Sequence, residues 1–138
     1  MFLNKKEDNN HESSFVKIAA LLIHTAKIDE NYSNEEEEII KKTLFSLGVD
    51  KNDLDTLITK AKKCEEDANQ ILDFTKEIKN LEDIDKIKII KSLWKIIYSN
   101  QDADIYETNL MRRLAGLLYI DSKVMGDIKE EIKKENQK

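Results

Sequence analysis

Oxygen-bearing side chains alternate at two places in this chain. Asp29, Asn31 and Ser33 are followed by Glu36, and Asn100, Asp102 and Asp104 are followed by Glu107. Carboxylates and amides at every second position of a short turn are suited to hard cations, because Ca²⁺ and Mg²⁺ take oxygen ligands. The spacing matches positions 1, 3 and 5 of an EF-hand loop. The remainder of that loop is missing. Its turn glycine falls on Asn34 or Ile105, and its bidentate glutamate on Ile40 or Met111.

The same residues fit a second role. Ser33 with Glu36 is an S-x-x-E capping box, and Asp104 with Glu107 is a similar helix start. Each cap stabilises a helix by about 1 kcal/mol without any ligand. Asp29 is different. It lies near the C-terminal end of a helix, where a carboxylate faces the negative end of the macrodipole at a cost of about 0.3–1 kcal/mol. Water, the free N–H groups of the next helix, or a cation can compensate. Asp29 and Glu36 are therefore the leading candidate ligands, with Asp102, Asp104 and Glu107 next. Asn100 supplies no charge, so the second turn is the weaker site. Ca²⁺, Mg²⁺ or Mn²⁺ is expected before Zn²⁺, since His11 and His24 share no ligand spacing and Cys64 is the single cysteine.

Helices must position these turns. Phe15, Ile18, Ala19, Leu22 and Ala26 make one helical face, which Leu21 and Ile23 widen until two sides are apolar. A second helix starts at Ser33 and carries Ile39, Ile40, Leu44 and Leu47, with Gly48 as its stop. A third, capped by Asp50 or Asn52, presents Leu54, Leu57, Ile58, Ala61 and Cys64. A fourth holds Ile71, Phe74, Ile78 and Leu81. The fifth runs from Ile84 to Ile97 and includes Trp94. The sixth opens at Asp104 and runs through Leu118, and the last starts at Asp121 or Ser122 and carries Ile128 and Ile132. The fold class expected is all-α, a compact bundle of six to seven short helices.

The first turn and the second form part of a longer repetition. Ile18-Ala19, Leu22-Ile23 and Ala26 correspond to Ile89-Ile90, Leu93-Trp94 and Ile97, and Ile39-Ile40 to Leu110-Met111, all 71 positions later. Two pseudo-repeats would then bracket a middle pair of helices. Residues 1–11 lack periodicity and are expected as a mobile tail, 12–134 as one helical domain, and 135–138 as a frayed end.

Composition narrows the function classes. The chain has 138 residues, 40% hydrophobic and 37% charged, with no proline and three glycines. That suits one helical core and gives too little turn chemistry for a β fold. A net charge of −5 argues against nucleic acid as a partner, because phosphate binding needs clustered cations. Lys86, Lys88, Lys91 and Lys95 form a local basic stretch, expected as a solvated helix edge. No apolar run reaches the roughly 20 residues of a membrane span, and no apolar signal core follows Met1, so a soluble cytoplasmic protein is expected. Cys64 is expected to be a buried inert thiol, His24 to face solvent, Trp94 to be core, and Glu35 to Glu38 to be a solvated first turn. No glycine-rich phosphate loop, Ser–His pair or paired cysteines point to an enzyme.

The repeated pattern resembles the TerB-like family, named for tellurite-resistance proteins. The residues that carry the resemblance are Asp29, Tyr32 and Glu36, then Asn100, Ala103 and Glu107, followed by the helix Leu110-Met111-Arg112-Arg113-Leu114-Ala115-Gly116-Leu117-Leu118. It covers roughly Phe15 to Asp121. The family's glycine after the aspartate is Glu30 in the first repeat and Gln101 in the second, so either the turn tolerates a non-glycine residue or Asn31 takes the left-handed conformation instead. The resemblance implies an all-helical fold, an acidic metal site and no established reaction. The expected function is a non-enzymatic interaction or stress-response module with a protein partner and a divalent-cation site at the two turns. The alternatives are an interaction domain whose turns only cap helices, and a carboxylate-based hydrolase, which would need two facing carboxylates in a deep cleft. Sequence fixes neither partner nor oligomeric state.

Overall fold

In a computed structural model, residues 2–28, 32–68, 71–99 and 105–136 are described, with side chains excepted at 2–12, 105–107 and 136. Seven α-helices account for nearly all of them: α1 Phe2–Ala26, α2 Asn34–Ser46, α3 Leu54–Asp67, α4 Leu72–Ile78, α5 Asp83–Ser99, α6 Ile105–Leu117 and α7 Ser122–Asn136, with a short 3-10 turn Lys51–Asp53 before α3. No strand occurs among the described residues. The chain is all-α, as the periodicity requires.

Helix α1 is the central element. Ile18 through Ile23 are each at most 2% exposed, because α1 is covered on different sides by α2, α3, α4 and α5. A helix apolar around most of its circumference has to be surrounded in this way. Its most extensive partner is α3, and α5 in turn packs most extensively on α7. Trp94 on α5 is buried between them. Its indole N–H points at Met125 Sδ at 3.4 Å, and its ring stacks on Tyr98 with centroids 5.9 Å apart. Trp94 is core, as expected.

The helix ends follow local chemistry. After α2, Gly48 takes φ +113°, Val49 N–H donates to Leu44 O and Gly48 N–H to Phe45 O. This is a Schellman stop, and Val49 and Leu44 bury the apolar contact that accompanies it. Helix α6 ends in the same way, with Ile120 N–H on Ala115 O, Tyr119 N–H on Gly116 O and Tyr119 at φ 58°. From Asn34 to Ile105, from Ser46 to Leu117 and from Gly48 to Tyr119 the step is 71 positions each time. Two helices of 13 residues with the same stop thus lie at the offset read from the sequence.

Three expectations need correction, and the extent of α1 is a further finding. Helix α1 begins at Phe2. Extending an existing helix needs no new nucleus, and Lys5, Lys6 and Glu7 are good helix formers, so apolar periodicity is not required there. Cys64 is half-buried at the edge of the core. His24 is half-exposed, its Nδ1 3.6 Å from Glu65 Oε1 and its ring tilted against Phe74. Lys86 does not lie on a solvated edge. It is 6% exposed, and its ammonium donates to Leu118 O at 3.1 Å, closing the C-terminal end of α6, where a cation is favoured.

Candidate functional site

Helix α1 ends at Ala26, where Lys27 N–H still reaches Ile23 O and Ile28 N–H reaches Thr25 O. The chain re-enters the described structure at Tyr32 and starts α2 two residues later, at Asn34. Ser33 is extended (φ −94°, ψ 163°) and caps the helix. Its hydroxyl oxygen accepts from Glu36 N–H at 3.1 Å, and Glu36 Oε1 accepts from Ser33 N–H at 2.9 Å. Both halves of the capping box read from sequence are present.

Packing gives Glu36 a different environment from its neighbours. Glu36 is 1% exposed, whereas Glu35 and Glu38 are exposed and Glu37 is half-buried. The run 35–38 is therefore not a uniformly solvated turn. Burial of a carboxylate is unfavourable unless donors or positive charge meet it. Here the Ser33 N–H and the positive end of the α2 macrodipole supply part of that compensation.

Glu37 organises a cluster that the sequence reading missed. Tyr32 Oη donates to Glu37 Oε1 at 3.3 Å. Lys62, from α3, reaches the same oxygen at 3.0 Å, and its ammonium sits 5.5 Å from the Tyr32 ring centroid. Lys41 lies 3.9 Å from Glu37 Oε2 and 3.2 Å from Asp55. Burial, and then the negative charge of Glu37, push the Tyr32 phenol well above its ordinary pKa. The hydrogen bond from Lys41 to Asp55 raises the ammonium's pKa. The available signal was positional. Tyr32 and Glu37 occupy the positions before the cap and four into the helix, where an apolar staple is usual, and here a hydrogen bond replaces it.

Of the five candidate ligands, Glu36 alone has a described side chain. Glu107 lies in the first turn of α6, and its side chain is outside the described residues. Asp29, Asp102 and Asp104 are outside them altogether. Among the described residues no three His, Cys, Asp or Glu side chains converge in a way that could hold a metal ion. Glu37, held by Lys62 and Tyr32, is already neutralised.

Comparison with known proteins adds one finding. A family model described as tellurite resistance protein TerB matches residues 15–130. The match starts at Phe15, where apolar periodicity begins, and extends into α7, beyond the stretch that carries the resemblance in sequence. Neither the curated proteins nor the solved structures give a match.

Proposed function

The chain belongs to the TerB family, and from that premise we propose that it is a non-enzymatic, cytoplasmic helical module that engages a protein partner and binds a divalent cation at the turn between α1 and α2. The observation that supports the reading is the placement of Glu36: a carboxylate 1% exposed, fixed in rotamer by the capping box in the first turn of α2. A ligand held in advance by backbone contacts costs little entropy to recruit. Asp29 and Glu36 would hold the cation, and the Asn100–Glu107 turn, with Asp102, Asp104 and Glu107, would form the weaker counterpart in a second half related by the 71-residue spacing. The cation would neutralise Asp29 at the negative end of α1 and fix the turn against α2.

Titration of Ca²⁺, Mg²⁺, Mn²⁺ and Zn²⁺ followed by amide NMR tests this. Saturable shifts confined to Tyr32–Glu37, weaker ones at the start of α6, and loss of the first set in Asp29→Asn are expected. If none of the metals moves these amides at millimolar concentration, the cation reading fails. The interaction domain with purely structural turns is then what remains. No helix among the described residues is long and apolar enough to cross a membrane.

A further inference from the structure

A groove of about 320 Å³ lies between α2 and α5. Four lysines line it: Lys42 from α2 and Lys88, Lys91 and Lys95 from α5. Buried Thr43 and Ser92, joined by a hydroxyl–hydroxyl hydrogen bond, belong to the same lining. The α5 lysines fall three or four positions apart, which puts them along one side of the helix. The sequence reading treated them as a solvated edge. The approach of α2 adds Lys42 and makes the edge concave.

We propose that this groove binds a phosphate-bearing anion with at least two linked phosphates. The charge count carries the argument. No carboxylate lines the groove. The nearest paired one is Glu131, 3.5 Å from Lys91, and among the described residues neither Lys42 nor Lys95 has an ion-pair partner. Lys88 donates one proton to Ser46 O at 3.2 Å and keeps the others. The lining hydroxyls are committed, since the two protons of Thr43 and Ser92 are shared among their mutual contact, Ile39 O and Lys88 O, and Ser46 donates to Thr43 O. The ammonium groups are therefore the donors, and an ammonium recognises phosphate as a point charge. Several converging cations in a protein of net charge −5 form a local field opposite to the whole. The adjoining hollow, which shares Ile39 and Lys95, is bordered by Glu35 and Glu135. Those carboxylates close that end to a long polyanion, so the geometry fits a compact ligand and not a nucleic-acid strand. The phosphates can come from a soluble organic polyphosphate or from a lipid headgroup.

The test uses the full chain with EDTA present, so that a cation at the acidic turn cannot carry the anion. Inorganic pyrophosphate is titrated at low salt and followed by amide NMR. Saturable shifts at Thr43, Ser46, Ser92 and the four lysines are expected. The exposed pair Lys42→Gln/Lys95→Gln should weaken binding on the order of tenfold or more with an unchanged helical circular dichroism spectrum. Lys76→Gln, on α4, should not. Glu131→Gln releases Lys91 and should tighten binding about two- to fivefold. Vesicles of phosphatidylcholine carrying a phosphoinositide distinguish the source. Binding to them that pyrophosphate competes away assigns a headgroup, and absence of vesicle binding with retained pyrophosphate shifts assigns a soluble ligand. No shifts at millimolar pyrophosphate, shifts indifferent to Lys42→Gln/Lys95→Gln, or tighter binding of a single-stranded oligonucleotide than of pyrophosphate overturns the proposal.

Discussion

Replacing Glu36 by Ala and by Gln separates what the capping box does from what the charge does. The Ala variant loses the hydrogen bond from Ser33 N–H, 2.9 Å in the native protein. Such a bond to a charged acceptor contributes about 1.5–3 kcal/mol. It also loses a favourable charge in the first turn of α2, about 0.3–1 kcal/mol. Against these losses, the variant no longer desolvates a carboxylate that is 1% exposed, a cost of at least about 1 kcal/mol. The net loss expected is about 2 kcal/mol. For 138 residues that lowers Tm by roughly 6–10 °C. The Gln variant keeps an acceptor for Ser33, since glutamine serves in the capping box, and should lose about 0.5–1 kcal/mol through the charge alone. Urea unfolding followed by circular dichroism measures both, with m unchanged. Combining Ser33→Ala with Glu36→Ala should cost less than the two added, because they dismantle one reciprocal motif. If Glu36→Ala lies within about 0.5 kcal/mol of the native protein, as an ordinary surface change does, the reasoning from burial and capping is wrong.

Gly48→Ala should cost about 1–2 kcal/mol in the same assay. A Cβ there meets nothing within 4 Å, so the penalty comes from the backbone at φ +113°. At the corresponding place after α6, Tyr119→Gly should change stability by less than about 1 kcal/mol. Relief at φ 58° is offset by loss of the Lys86 ammonium 5.9 Å from the ring. Tyr32 gives a pH effect. Its pKa is higher folded than unfolded, so its contribution to stability is complete below about pH 10, the unfolded value, and is lost as pH rises above that towards the folded pKa. Stability should therefore fall less steeply above pH 10 in Tyr32→Phe than in the native protein. Phenolate absorbance should show Tyr32 titrating late, and a Tyr32 that titrates near pH 10 in the folded protein would refute the assignment.

Much of the fold was legible along the chain because its signals are local. The apolar face from Phe15 to Ala26 requires a helix covered on more than one side, and α1 is that helix. Ser33 with Glu36 and the glycine at 48 mark the two ends of α2 by short-range hydrogen bonds alone. The absence of proline and the scarcity of glycine leave few alternatives to helices joined by short turns. These features depend on residues within about five positions of one another, and so sequence spacing is enough to read them.

Charge is where spacing stopped being informative. Lys86, Lys88, Lys91 and Lys95 form one basic stretch in sequence, yet Lys86 closes α6 from within the protein, while the other three face Lys42 across a groove. Glu36 and Glu37 are adjacent, yet one is buried in a capping box and the other meets Lys62 from α3. Whether a charged side chain is solvated, buried or paired depends on which helix arrives opposite it. That partner is tens of residues away: α6 for Lys86, α2 for Lys88 and α3 for Glu37. The sequence by itself determined the succession of helices and the two ends of α2. Only the tertiary structure decided which charges face one another, because electrostatic energy depends on distance in space and on exclusion of water, and neither is encoded in the period of one helix.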